Sequence, residues 1–142
     1  MISLKLIKQV KRTECGVACV AMLCGTSIEE ARKLVGHTND QKTGWTSTAE
    51  VRSALAKKRI RLGKEVWCDN WNKLESRAGV FLVAVNYKDT CKVNGEEKPN
   101  WHWAIYNPAQ ADAPLLDPNS KRSKRRAIGP TRLASYFHVY FQ

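Results

Sequence analysis

Four residue types in this chain form a set that can do covalent chemistry on a carbonyl group. Cys15 stands in Glu14-Cys15-Gly16-Val17-Ala18-Cys19, at the mouth of an apolar run. Gln9 lies six positions before it. His102 sits in Trp101-His102-Trp103-Ala104-Ile105-Tyr106, and Asp117 closes Leu115-Leu116-Asp117-Pro118. A cysteine thiolate is a strong nucleophile. Imidazole changes charge near neutral pH and serves as acid or base. A carboxylate can hold the second ring nitrogen and fix the tautomer. A side-chain amide can donate to an oxyanion. Thiol attack on a carbonyl is the chemistry this set predicts. Taken singly, each residue also has a structural explanation: a small buried thiol, an exposed amide, a core histidine, an Asp-Pro turn.

The elements that must position these groups are legible from periodicity. A helix opening at Cys15 carries Val17, Val20, Ala21 and Leu23 and stops at Gly25. A helix N-terminus favours an anion, which suits a thiolate. Gly16 is expected to leave room beside the sulfur for a substrate carbonyl. The segment Trp101 to Tyr106 reads as a strand with His102, Ala104 and Tyr106 on one face. Trp101 and Trp103 then face the other way and shield the edge of the site. Asn107, in Tyr106-Asn107-Pro108, rivals Asp117 as the group that orients the imidazole. His37 and His138 lack comparable company and read as structural.

Around these lie further elements. Ser27 to Glu30 is a capping box opening a second helix that ends at Gly36, and Ser47 to Glu50 is another, with Val51, Ala54 and Leu55 as its apolar face. Residues His37 to Thr43 read as a loop. Ile60 and Leu62 start a short strand, and Asp69 to Glu75 make a helical turn. Val80 to Val85 is a continuous apolar strand. The polar stretch Tyr87 to Asn100, with Asn94-Gly95, reads as a hairpin connection. Leu115 to Asp117 and Tyr136 to Phe141 are further strands. The expected fold class is α+β, a helical N-terminal lobe followed by an antiparallel sheet.

Length and composition bound the rest. Residues 1–142 make one domain, and 43% apolar with 26% charged residues excludes a disordered chain. No stretch is long enough to span a bilayer, and the first residues are too short and charged for a signal peptide. The expected setting is cytoplasmic. Of five cysteines, three crowd into residues 15 to 24, which suits reduced thiols rather than a disulfide framework. No paired ligand spacing for zinc is present, so no metal and no cofactor is expected. The net charge is +11, and its densest cluster is Lys121, Arg122, Lys124, Arg125 and Arg126. Such charge attracts anionic partners. A basic effector or nucleic-acid-binding module is therefore the alternative function, with steep salt dependence as its signature.

The pattern resembles the peptidase domain of bacteriocin-processing transporters, the double-glycine leader peptidases, which are papain-like. That family places a glutamine six positions before the cysteine of Asp-Cys-Gly-x-Ala-Cys-Leu-x-Met. Here Gln9 precedes Glu14-Cys15-Gly16-Val17-Ala18-Cys19-Val20-Ala21-Met22. Gly44-Trp45 before the helix from Ser47, His102-Trp103 and Asp117-Pro118 also fit. The resemblance implies a free-standing papain-like cysteine peptidase. It implies Cys15 as nucleophile, His102 as general base, Asp117 as orienter and Gln9 as oxyanion donor. It implies a peptide substrate cleaved after small residues such as Gly-Gly. Glu14 departs from the family's aspartate, and the basic segment from Lys121 to Arg126 is not a leader-peptidase feature.

Overall fold

The computed structural model describes residues 4–10, 14–36, 46–75, 77–93, 96–110, 113–119 and 131–141, with backbone alone at 75, 89–93 and 96–100. Helix α1 (Cys15–Cys24) is buried from Cys15 through Leu23. An element apolar all round belongs in a core. Gly25 ends it in the left-handed region, at φ 68°, with its N–H on the Ala21 carbonyl. Helix α2 (Ile28–Val35) starts where the Ser27 hydroxyl accepts from the Glu30 N–H. At α3 (Thr48–Ala56) both halves of the capping box form, Ser47 accepting from Glu50 N–H and Glu50 from Ser47 N–H.

The sheet is antiparallel, built from β1 (Ile60–Leu62), β2 (Val66–Trp67), β3 (Val80–Val93), β4 (Glu96–Tyr106), β5 (Leu115–Leu116) and β6 (Leu133–Phe141), with a four-residue helix α4 (Asn72–Glu75) between β2 and β3. Its order is β1-β6-β3-β4-β5, and β2 also pairs with β6. Residues of β3 alternate between two buried clusters. Leu82 and Ala84 pack with α1, α2 and α3, while Phe81, Val83 and Val85 pack with Leu74 and Trp71 on the opposite face. Covering on both faces explains the unbroken apolar run.

Three expectations need correction. Tyr87 to Asn100 is no loose connection: β3 and β4 continue as paired arms to Val93 and Glu96, through irregular steps between Val85, Lys88 and Cys91. The arms pair through their backbones, which a polar side-chain pattern does not reveal. Strand β2 was not expected. The last strand begins at Leu133, because its register runs on through Leu133 opposite Val85. Among the described residues no helix is long and apolar enough to cross a membrane. His37, Gly44, Trp45 and the cluster Lys121, Arg122, Lys124, Arg125 and Arg126 lie outside the described residues.

Candidate active site

Cys15 is the first residue of α1 and His102 lies in β4, which α1 packs against. The two are remote along the chain and meet at the edge of the sheet. Strand β5 is only two residues long and leaves that edge of β4 open at Trp103. There the Trp103 N–H donates to the Cys15 sulfur at 3.5 Å. Pro118 has no N–H with which to extend β5. The sulfur takes a place that a longer strand would have filled.

Register explains the third member. Ile105 pairs with Leu116 and Tyr106 with Leu115. One step further sets Asp117 beside Ala104 and diagonal to His102, on the same face. The His102 Nε2 and Asp117 Oδ1 are 2.6 Å apart, with side chains 21% and 10% exposed. The same Oδ1 accepts from the Asn119 N–H at 2.9 Å. Asp117 is therefore both the turn former and the imidazole's partner. Asn107 is spent elsewhere: its side chain accepts from the Ala109 N–H, and its own N–H donates to Pro114. Gln9, half-buried, donates its backbone N–H to the Pro118 carbonyl at 3.0 Å. That bond seats the segment before α1 next to Asp117.

With Nε2 on Asp117, the Nδ1 of His102 is left for the thiol. Burial works against the charged ring, but hydrogen bonds to Asp117 and Cys15 and the charges of both outweigh it, raising its pKa from 6.5 to about 9. The folded state thus binds this proton more tightly than the unfolded chain. The stability it confers is complete below pH 6.5 and lost as the pH climbs to about 9. The loss expected over that range is about 3 kcal/mol, at 1.36 kcal/mol per unit. Urea unfolding of the parent and of Asp117→Asn across the range checks it; equal slopes in both would dismiss the coupling.

The other two thiols of α1 are disfavoured as nucleophiles. Burial, then the charges of Cys15 and Asp117, push Cys19 well up. Burial pushes Cys24 up to about 11, against a lowering by Lys58. His138 stacks on Phe81, centroids 5.0 Å apart, as a structural histidine.

Gly16 does not do what its position suggested. A Cβ there would lie 2.7 Å from the Thr46 Cβ, and 3.0 Å from both the Thr46 Oγ1 and the Trp103 Cδ1. The space beside Gly16 is filled by protein, not kept for substrate. Trp103 is likewise no edge shield: it is 2% exposed and donates its indole N–H to the Thr46 carbonyl at 3.0 Å. Sequence reasoning missed Thr46 and the Glu14–Arg32 ion pair, whose partners are 18 positions apart. Nothing local in the sequence signals either contact.

No family model matches the chain, and no curated protein matches it in sequence. Solved structures do match. One is the peptidase domain of Streptococcus ComA, a bifunctional ABC transporter involved in a quorum-sensing pathway, at TM-score 0.64 and 17% identity, over 97% of this chain and 98% of that one. Another is a double-glycine motif protease from an AMS/PCAT transporter, solved with its leader peptide, at TM-score 0.66 and 15% identity, over 99% and 93%. The chain has the papain-like peptidase fold. In it α1 packs against β4, and a helical lobe precedes an antiparallel sheet as the sequence led one to expect.

Proposed function

We propose that this papain-like chain is a cysteine peptidase, with Cys15 as nucleophile, His102 as acid and base, Asp117 as orienter and Gln9 as oxyanion donor. The convergence of Cys15, His102 and Asp117 from three distant segments supports this reading most directly. In the reacting form the imidazolium of His102 faces the Cys15 sulfur. The sulfur attacks the scissile carbonyl carbon, and the carbonyl oxygen takes the displaced electron pair. The Cys15 N–H and the Gln9 amide stabilise that oxyanion. His102 then gives its Nδ1 proton to the leaving amine, and a thioacyl enzyme remains. Now neutral, the ring takes a proton from water, which hydrolyses the thioester and restores the pair. Asp117 holds Nε2 throughout. Cleavage after small residues such as Gly-Gly is the specificity we propose.

A peptide ending in Gly-Gly-aminomethylcoumarin tests the activity, and iodoacetamide at neutral pH tests the nucleophile. Cys15 should be alkylated well ahead of Cys68; equal rates would remove the ion pair from consideration. Gln9→Ala is expected to lower kcat about 10²-fold, with KM little changed, because an oxyanion donor acts in the transition state. A change confined to KM would instead make Gln9 a binding residue.

A further inference from the structure

Glu14 occupies the N-cap of α1, one residue before Cys15. A short acidic side chain at an N-cap accepts from free N–H groups of its own helix, and negative charge there is favoured by the dipole. Glu14 makes no such bond. Its backbone sits at φ −99°, ψ 25°, whereas Ser27 and Ser47 at the caps of α2 and α3 are extended, at ψ 164°. The carboxylate is turned instead to Arg32 on α2. Nε donates to Oε2 at 2.5 Å and Nη2 to Oε1 at 2.9 Å. The side chains are 3% exposed for Glu14 and 14% for Arg32. This two-point geometry is the strongest that a guanidinium and a carboxylate can make.

We infer that Arg32 is a positioning residue: by holding Glu14 away from the start of α1, it keeps the backbone donors beside Cys15 open for a substrate oxyanion. The inference rests on the reading of Cys15 as nucleophile. A carboxylate folded onto those donors would occupy them before substrate arrives and would add negative charge where more must develop. An ion pair that merely pinned α2 to α1 would work at many places along the two helices. This one engages the N-cap side chain itself, which is within one turn of the free N–H groups at the start of α1. Among the described residues, the charged and titratable groups around the sulfur include Glu14 and Cys19 from its own segment, Arg32 from α2 through Glu14, His102 from β4 and Asp117 from the end of β5.

The probe is acetyl-Gly-Gly-aldehyde. The Cys15 sulfur bonds to its aldehyde carbon and the carbonyl oxygen takes the electron pair, reproducing the oxyanion without cleavage. Its affinity is read as protection of Cys15 from iodoacetamide, followed by mass spectrometry. Arg32→Met is expected to weaken it on the order of tenfold or more, as loss of one donor does. Glu14→Ala/Arg32→Met should recover the parent affinity, and Glu14→Ala alone should keep it. A merely structural pair predicts instead that Glu14→Ala, which breaks the same contact, weakens binding as Arg32→Met does. Parent-like binding by Arg32→Met, a double variant as weak as the single, or weakening by Glu14→Ala would each overturn the inference. Should Arg32→Met not fold, as judged by circular dichroism, the other two variants decide. His102→Ala separates the two levels: if it leaves Cys15 alkylation unchanged and the parent ignores the aldehyde, the peptidase reading itself fails.

Discussion

Cys15→Ala and His102→Ala are each expected to lower hydrolysis of a Gly-Gly peptide amide by about 10⁴-fold or more, and the double variant by little beyond either one. The reason is that the sulfur and the ring act as one unit. Without the imidazole the thiol loses its charge partner, and the leaving amine loses its proton donor. Without the sulfur the ring has nothing to activate. What survives is binding and whatever oxyanion stabilisation still operates. No described neighbour can substitute, since Cys19 is fully buried and its thiol is pushed well up. Single-turnover kinetics with enzyme in excess give the rates, and circular dichroism checks the fold. Losses that multiplied in the double variant would mean two independent roles. Hydrolysis that persisted in Cys15→Ala would move the chemistry elsewhere.

Gly16→Ala carries the second large effect, on stability. Alanine in a helix is favoured over glycine by about 1 kcal/mol. Packing reverses the sign. The new Cβ would meet the Thr46 Cβ at 2.7 Å and the Trp103 Cδ1 at 3.0 Å. Neither is the loose end of a flexible chain: Trp103 is buried at the centre of the helix-facing core, tied to the Thr46 carbonyl. Overfilling such a site costs about 1–3 kcal/mol. Urea denaturation is expected to show that loss, reduced in a Thr46→Gly background where one obstacle is gone. A Gly16→Ala variant as stable as its parent would show that α1 can shift off β4 at no cost. Any such shift also moves Cys15 relative to the Trp103 N–H.

Much of this arrangement could be read from the residues. The apolar run after Cys15, the capping box at Ser47 and the stretch Val80 to Val85 carry local signals strong enough to place their elements. In the sequence Asp117 had Asn107 as a rival orienter, and the register of β5 against β4 is what delivers the carboxylate to His102. Other features have no local signal. The arms of β3 and β4 past Tyr87 are held by backbone pairing, to which side-chain pattern is blind. Gly16 was misread because a missing side chain looks the same whether substrate or protein fills the gap. Thr46 and Arg32 reach the site only through tertiary packing. Propensity cannot report a contact between residues that distant in the chain.

The hydrogen bond between the Trp103 amide and the Cys15 sulfur closes a loop of 88 positions. Closing so long a loop is entropically costly until the intervening sheet has zipped up. A ribosome releases Cys15 early and His102 and Asp117 much later, so for most of synthesis the sulfur is without the ring and its carboxylate. The two groups come together only once α1 lies against β4. Topology alone thus decides when these groups can first meet.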